Sequence, residues 1–288
     1  MDNLFGMLLR QTNTMKKKLR LAPANGPPMV LSIAGSDCSG GAGVQADLRT
    51  FHRYQMHGLS VITAITAQSA HAITAIHPLS ARWVAEQLDA VFGSFSVAAV
   101  KIGMLGNAQI VSVVADYLRR YQPPNIVLDP VMAASLGGEL LTPKAVDAMR
   151  KELIPLSHVL TPNWPETRRL LKQPSYTNAE KEEAAQALLA LGTKAVLLKG
   201  GHAAGSTVED YYRDAKQRRS FRYPRVKYDA RGTGCTLAAA IAAELARGNP
   251  TAIACARATR YLHRLLGSAF QVKAKESHFF RVCSHYLL

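Results

Sequence analysis

The chain has 288 residues, 48% hydrophobic and 19% charged, with a formal net charge of +15 from 35 Lys and Arg against 20 Asp and Glu. This composition excludes intrinsic disorder, collagen-like repeats and small disulfide scaffolds, and it suits one compact domain with a large core. The surplus positive charge leaves three partner classes open: nucleic acid, an anionic membrane surface and anionic small molecules.

Residues 1–28 differ in character from the rest of the chain. A short apolar piece (Leu4 to Leu9) precedes the cluster Lys16, Lys17, Lys18 and Arg20, and Ala-Asn-Gly-Pro-Pro then breaks the chain before Met29. The charges come after the apolar piece, the reverse of a secretory signal, so the segment reads as a loose, disordered basic extension with Met15 and Met29 as alternative starts. Its scarcity of acidic residues, Asp2 alone, also keeps a transit peptide in view. From Met29 the pattern alternates short β-branched runs with longer segments of helical period, the signature of stacked βαβ units. Strands are expected at Val30–Ala34, Leu59–Thr66, Val97–Ile102, Ile126–Leu128, His158–Leu160 and Ala195–Lys199. Helices are expected near 42–55, 80–92, 106–120, 142–153, 163–172 and 178–191. Thr207–Tyr212 and Ser220–Val226 read as edge strands, before two Ala-rich helices near 233–247 and 250–271. The fold class is therefore α/β, with a mainly parallel central sheet and helices on both faces. Cys38, Cys235, Cys255 and Cys283 lie far apart with no C-x-x-C pair or Cys/His ligand spacing, which argues against zinc or a disulfide framework. No apolar run reaches the roughly 20 residues a spanning helix needs. A soluble protein of a reducing compartment, the cytoplasm, is expected.

In open α/β sheets the ligand crevice lies beyond the carboxyl ends of the strands, where this chain is rich in Gly, Asp, Asn and Lys. After the first strand comes Gly35-Ser36-Asp37-Cys38-Ser39-Gly40-Gly41-Ala42-Gly43, a dense glycine loop entering a helix. It is neither a P-loop nor a full dinucleotide fingerprint. Arg231-Gly232-Thr233-Gly234-Cys235-Thr236 opens an apolar helix, and Gly-Thr-Gly there offers backbone donors to an anion, reinforced by the helix dipole. Cys235 sits where that dipole favours a thiolate, with a buried structural cysteine as the plain alternative. Asn163 and Glu166, three apart on a first turn, suit either water-mediated Mg²⁺ or an ordinary helix cap. Lys199, before Gly200-Gly201-His202, ends a strand in a position suited to a phosphate.

Taken in order, these segments resemble the ribokinase-like superfamily and, within it, the bacterial hydroxymethylpyrimidine/phosphomethylpyrimidine kinases of thiamine biosynthesis. The resemblance runs from about Val30 to Gly248. It rests on Ile33-Ala34-Gly35-Ser36-Asp37, Ser39-Gly40-Gly41-Ala42-Gly43-Val44-Gln45-Ala46-Asp47, Val61-Ile62-Thr63-Ala64 with Ala67-Gln68, Lys101-Ile102-Gly103-Met104-Leu105, Asp129-Pro130-Val131-Met132, Thr161-Pro162-Asn163, Lys199-Gly200-Gly201-His202 and Gly232-Thr233-Gly234-Cys235-Thr236. It implies a three-layer kinase domain over 29–272 that phosphorylates hydroxymethylpyrimidine and then its monophosphate, with ATP as co-substrate and Mg²⁺ as cofactor. Gln68 and Asp47 would read the aminopyrimidine, with Gly35, Ala42 and Met104 lining its pocket. Cys235 would be the base, and Gly232, Thr233 and Gly234 would form the anion hole. Lys199 and Asn163 would serve the nucleotide, and Glu166, Asn163 and Asp129 the metal, largely through water, while Arg231, on its own charge, is expected to contact an acceptor or nucleotide phosphate. A homodimer is implied, with neither nucleic acid nor membrane as partner.

Three departures stand out. Arg231 replaces the family's usual histidine, Ala133 stands where a lysine is usual, and residues 273–288 replace a Gly/His-rich tail. Lys216, Arg218, Arg219, Arg222, Arg225 and Lys227 read as solvated edge-strand charge. The competing functions are a pyridoxal kinase of the same fold, a non-catalytic pyrimidine-binding sensor and a nucleic-acid binder, the last lacking any helix-turn-helix, RNP motif or stacking platform.

Overall fold

The computed structural model of the chain describes residues 26–69, 72–133, 138–173, 180–201, 205–228, 230–273 and 279–283. Its elements in chain order are β1 (Met29–Asp37), α1 (Gly43–Arg53), β2 (His57–Gln68), β3 (Ile73–Pro78), α2 (Ala81–Ser94), β4 (Val97–Ile102), α3 (Ala108–Tyr121), β5 (Ile126–Leu128) and α4 (Pro143–Ala148). Next come β6 (Val159–Leu160), α5 (Trp164–Leu171), α6 (Lys181–Leu189), β7 (Ala195–Leu198), β8 (Thr207–Asp214), β9 (Arg218–Pro224), α7 (Thr233–Ala246), α8 (Thr251–Gly267), β10 (Phe270–Lys273) and β11 (Phe279–Val282).

Nine strands form one sheet in the order β3-β2-β1-β4-β5-β6-β7-β8-β9. β2, β1, β4, β5, β6 and β7 run parallel; β3 pairs antiparallel with β2 at one edge, and β8 with β7 and β9 with β8 at the other. β1 reads as a continuous apolar run because both its faces are covered, as a central parallel strand requires. Leu31 and Ile33 point into the core shared with α2 to α6, whereas Val30 points into the core beneath α1, α7 and α8. The sheet thus separates two helical layers. α7 is buried all round from Thr236 to Leu245, and its alanines let it lie close against the sheet, α1 and α8.

The chain order turns back at β1: β2 lies on one side of it and β4 on the other, and the crevice opens beyond the strand ends at that switch point. Two glycines make the approach of backbones there feasible. Gly43 has φ +59°, and a β-carbon on it would lie 2.3 Å from the Gly35 carbonyl oxygen. Gly232 has φ +72°, and a β-carbon there would lie 2.1 Å from the Gly41 carbonyl oxygen. The glycine loop is thereby pressed between the end of β1 and the start of α7.

Several elements differ from expectation. β3 went unpredicted because most of its residues are exposed, so no period-2 alternation marks it; it is held by backbone pairing to β2, with Ala67 opposite Ala75. The helix expected over 142–153 is α-helical only through Ala148, after which the hydrogen bonding widens over Met149–Leu153 and tightens over Ile154–Leu156. The final helix, expected to reach 271, stops at Gly267, and Phe270 begins a hairpin with Phe270 opposite Val282. That hairpin brings Cys283 to the start of α7, with its Sγ 4.0 Å from the Arg231 carbonyl oxygen. Most of the expected basic extension, residues 1–25, lies outside the described residues, as do Ala134–Gly137 and His202.

Replacing Gly43 by alanine forces both a left-handed backbone and an overlap with carbonyl oxygen. The variant is expected to lose more than about 3 kcal/mol of unfolding free energy, read as a lowered urea midpoint, and an unchanged midpoint would contradict this packing.

Candidate active site

The loop after β1 is held by its own polar groups. The Asp37 carboxylate accepts the Ser39 N–H at 2.8 Å and hydroxyl at 2.7 Å through Oδ1, and the Ala42 N–H at 2.8 Å through Oδ2. Gln45 closes the other side, accepting the Asp37 N–H at 2.9 Å and donating to Ser36 Oγ at 2.8 Å. Gly35 and Met104 meet as the resemblance implies: a β-carbon on Gly35 would lie 3.1 Å from the Met104 sulfur. Thr63 fixes the Met104 backbone by donating its hydroxyl to the carbonyl at 2.6 Å. At the end of β2, Gln68 is half-buried, and its N–H and carbonyl pair with the Cys38 thiol at 3.3 and 3.4 Å. Among the described residues no group holds its side-chain amide.

Asp47 lies one helical turn beyond Gly43, on the inward face of α1, and is completely buried. Its Oδ2 accepts the Ser32 hydroxyl at 2.6 Å and the Lys101 ammonium at 2.8 Å. Oδ1 is buried with no hydrogen-bond partner among the described residues. The expected ring reader is therefore a buried ion-pair carboxylate with one oxygen left over. Burial acts to discharge Lys101, but Asp47, Cys235 and Asp129 together outweigh it and keep the ammonium protonated above its ordinary range. Lys101 and Ser32 were not among the expected site residues. The available signal was a lone cation inside the apolar strand Val97-Ala-Ala-Val-Lys-Ile102.

At the start of α7 the first-turn N–H groups have no intrahelical acceptors, which is the arrangement that binds anions. The Gly43 backbone N–H, at the start of α1, favours the Cys235 thiolate. Burial pushes the thiol up to about 11; Lys101 pulls it down, and Asp47 and Asp129 push it further up. The resting group at neutral pH is thus a thiol, despite the helix dipole. Lys199 and Asp129 approach the same turn: a β-carbon on Gly234 would lie 3.5 Å from Asp129 Oδ2 and 3.5 Å from Lys199 Nζ.

Lys199 Nζ lies 2.7 Å from Asp129 Oδ1 and 3.6 Å from Glu166 Oε2, and Thr161 donates its hydroxyl to the same Asp129 oxygen at 3.2 Å. Asn163 and Glu166 form a reciprocal capping box on α5: the Glu166 N–H donates to Asn163 Oδ1 and the Asn163 N–H to Glu166 Oε2, each at 2.8 Å. Burial, with Asp129 adding to it, raises the Glu166 carboxyl to about 7 against the opposing pull of Lys199. The plain cap reading therefore describes what Asn163 does here. Arg231 reaches the other end of the crevice, where its aliphatic part lies against Gly41 and its Nη1 donates to the Ser69 carbonyl at 2.8 Å. It stands beside the strand end carrying Gln68. Of the six cations upstream, Arg222 pairs with Glu209 and Arg225 holds the carbonyls of Gly201 and Gly205, as surface groups.

The profile of the phosphomethylpyrimidine kinase family matches residues 37–279. The hydroxymethylpyrimidine/phosphomethylpyrimidine kinase of Rhizobium meliloti is 45% identical over 245 residues, covering 84% of this chain and 91% of that protein. Among solved structures, the phosphomethylpyrimidine kinase of Clostridium difficile superposes with a TM-score of 0.74 at 36% identity, covering 82% of this chain and 98% of that one. The pyridoxal kinase of Staphylococcus aureus, solved with pyridoxal, gives 0.81 at 29% identity over 90% of this chain and 94% of its own. The chain belongs to the phosphomethylpyrimidine kinase family.

Proposed function

We propose that this chain transfers the γ-phosphoryl group of ATP to 4-amino-5-hydroxymethyl-2-methylpyrimidine and then to the resulting monophosphate, giving the diphosphate used in thiamine biosynthesis. The observation that carries the reading is the meeting of Cys235, the free amides of α7, and the Lys199–Asp129 pair around Gly234. A phosphoryl group seated against Gly234 would face the helix start and Lys199 at once.

The pyrimidine lies between Gly35, Ala42 and Met104. The Gln68 amide offers a donor and an acceptor side by side for the ring nitrogen and exocyclic amine, and the unpartnered Asp47 Oδ1 is a second acceptor for that amine. Cys235, as thiolate, takes the proton of the hydroxymethyl group. The alcohol oxygen forms its bond to the γ-phosphorus as the bond to the β-phosphate oxygen breaks, and ADP leaves. The N–H groups of Gly232, Thr233, Gly234 and Cys235 hold the charge spread over the transferred oxygens. For the second transfer the acceptor is itself a phosphate, and Arg231, beside the Gln68 end, would receive it.

The donors present suit Mg²⁺ carried on the nucleotide. Among the described residues no three His, Cys, Asp or Glu side chains are grouped to cage a metal, but Asp129 and Glu166 lie together, and Mg²⁺ commonly binds through one or two carboxylates, water and substrate phosphates. When bound it would neutralise charge between the β- and γ-phosphates. Asp129 and Glu166 would orient its waters, with Asn163 fixing Glu166 through the cap.

A pyridoxal kinase is the second reading, favoured by the extent of the structural match to the enzyme solved with pyridoxal. Side-by-side kcat/KM values for hydroxymethylpyrimidine, its monophosphate and pyridoxal decide between them; a preference for pyridoxal would overturn the first reading. We also read residues 29–272 as the kinase domain, 1–28 as a basic extension and 273–288 as a divergent tail, in a cytoplasmic homodimer.

Cys235→Ala is expected to lower kcat by about 10² to 10⁴ while the pyrimidine Kd changes little, since positioned bases contribute on that scale. Because the thiol must lose its proton first, the wild-type rate should climb from pH 7 into the alkaline range, and the variant should lack that climb. Near-normal turnover in Cys235→Ala would remove the base assignment. Arg231→Ala should raise KM for the monophosphate more than for the alcohol, and equal kinetics for both acceptors would leave Arg231 without this role.

A further inference from the structure

Asp210 is a buried carboxylate without a part in the transfer chemistry, and it stands beside the cation of the phosphate half of the site. The antiparallel pairing of β7 with β8 runs from Ala195 opposite Asp214 to Leu198 opposite Tyr211, which puts Asp210 at the next register position, alongside Lys199. There the ladder gives way to a side chain: Asp210 Oδ1 accepts the Gly200 N–H at 2.8 Å. One residue earlier, the Lys199 N–H donates to the Pro162 carbonyl at 2.8 Å, next to the parallel bridge between Lys199 and Asn163. Gly200 itself is pressed onto the β8 backbone, since a β-carbon there would lie 2.0 Å from the Glu209 carbonyl oxygen. The N–H groups on both sides of the Lys199 α-carbon are thus held, one from the end of β6 and one from β8. Its ammonium lies 2.7 Å from Asp129 and 3.6 Å from Glu166.

We propose that Asp210 is a positioning residue of the transfer step: by holding the Gly200 N–H it fixes the direction in which Lys199 leaves the strand end, and so keeps the ammonium beside Gly234 at the start of α7. The proposal rests on the reading of Lys199 as a phosphate contact. The place of the acceptor does this, and its charge does not. Without an acceptor the buried Gly200 N–H is left unpaired, which is costly, so the peptide turns toward another partner and Lys199 turns with it. Gln68 and Met104 are carried by β2 and by the turn after β4, so the pyrimidine half of the crevice keeps its shape when the strand end moves.

The test compares Asp210→Ala, Asp210→Asn and Asp210→Glu in the full-length chain, together with Lys199→Met and the double variant Asp210→Ala/Lys199→Met. The readouts are kcat and the ATP KM with hydroxymethylpyrimidine as acceptor, and the pyrimidine Kd from calorimetry. Asp210→Ala should lower kcat/KM for ATP by about tenfold to a hundredfold with the pyrimidine Kd unchanged, since a misplacement of about 1 Å can cost on the order of 10² in rate. Asp210→Asn, which keeps an acceptor in the same place, should recover most of that loss. Asp210→Glu, which keeps the charge but moves the acceptor by one methylene, should not. Adding Asp210→Ala to Lys199→Met should cost little beyond Lys199→Met alone. An equal loss of pyrimidine affinity in Asp210→Ala, higher activity in Asp210→Glu than in Asp210→Asn, or losses that multiply in the double variant would overturn the proposal. If Asp210→Ala yields no folded protein, the order of Asp210→Asn over Asp210→Glu decides. Unchanged kcat and ATP KM in Lys199→Met would instead sink the reading of Lys199 itself, and the proposal with it.

Discussion

The contact between Lys101 and Asp47 joins the central sheet to the first helix in the buried interior. Removing one member of such a pair commonly costs about 3 to 5 kcal/mol, because the other charge is left buried and uncompensated. The contact at 2.8 Å, reinforced by the Ser32 hydroxyl on the same carboxylate oxygen, fixes the roll of α1 against β1 and β4. That roll sets the placement of the loop before α1, whose Gly41 carbonyl packs against Gly232 at the start of α7, over the switch point. A helix turned by one residue would break the ion pair and carry the loop of Gly35 to Gly43 away from the crevice.

The remaining chemistry is arranged around that junction as two halves. On one side stand the glycine loop, Met104 and Gln68; on the other, Lys199, Asp129 and Glu166 form a network fit for phosphates. α7 stands between them, and its free amides serve the group that passes from one half to the other. Such preorganised donors need no rearrangement as charge develops in the transition state. Burial, with Asp47 and Asp129 adding to it and Lys101 opposing it, leaves Cys235 protonated at rest, so the thiol must lose its proton before it can take one from a substrate hydroxyl.

Much of this was legible in the sequence because it depends on local rules. Apolar runs and helical periods placed the parallel strands, and the glycine clusters marked the close approaches at Gly43 and Gly232. The misses arose where a long-range partner decides the local structure. β3 exists through its pairing with β2, and the hairpin of Phe270 and Val282 replaces helix because its second strand comes from the tail. The same holds for Asp47: spacing put it on a helix face, but only the fold shows that Lys101, 54 positions away, meets that face. Asn163 and Glu166 show the reverse case, in which a capping box readable from four residues describes most of the geometry found.

The account turns on the alcohol of the substrate reaching Cys235 while the γ-phosphate rests on the start of α7. The most direct test is a crystal structure with hydroxymethylpyrimidine and a non-hydrolysable ATP analogue. The account predicts the hydroxymethyl oxygen within hydrogen-bond reach of the Cys235 sulfur, the γ-phosphate against Gly234 and the ring edge on Gln68. A pyrimidine whose hydroxymethyl group points away from Cys235, with the terminal phosphate off the α7 amides, would contradict it.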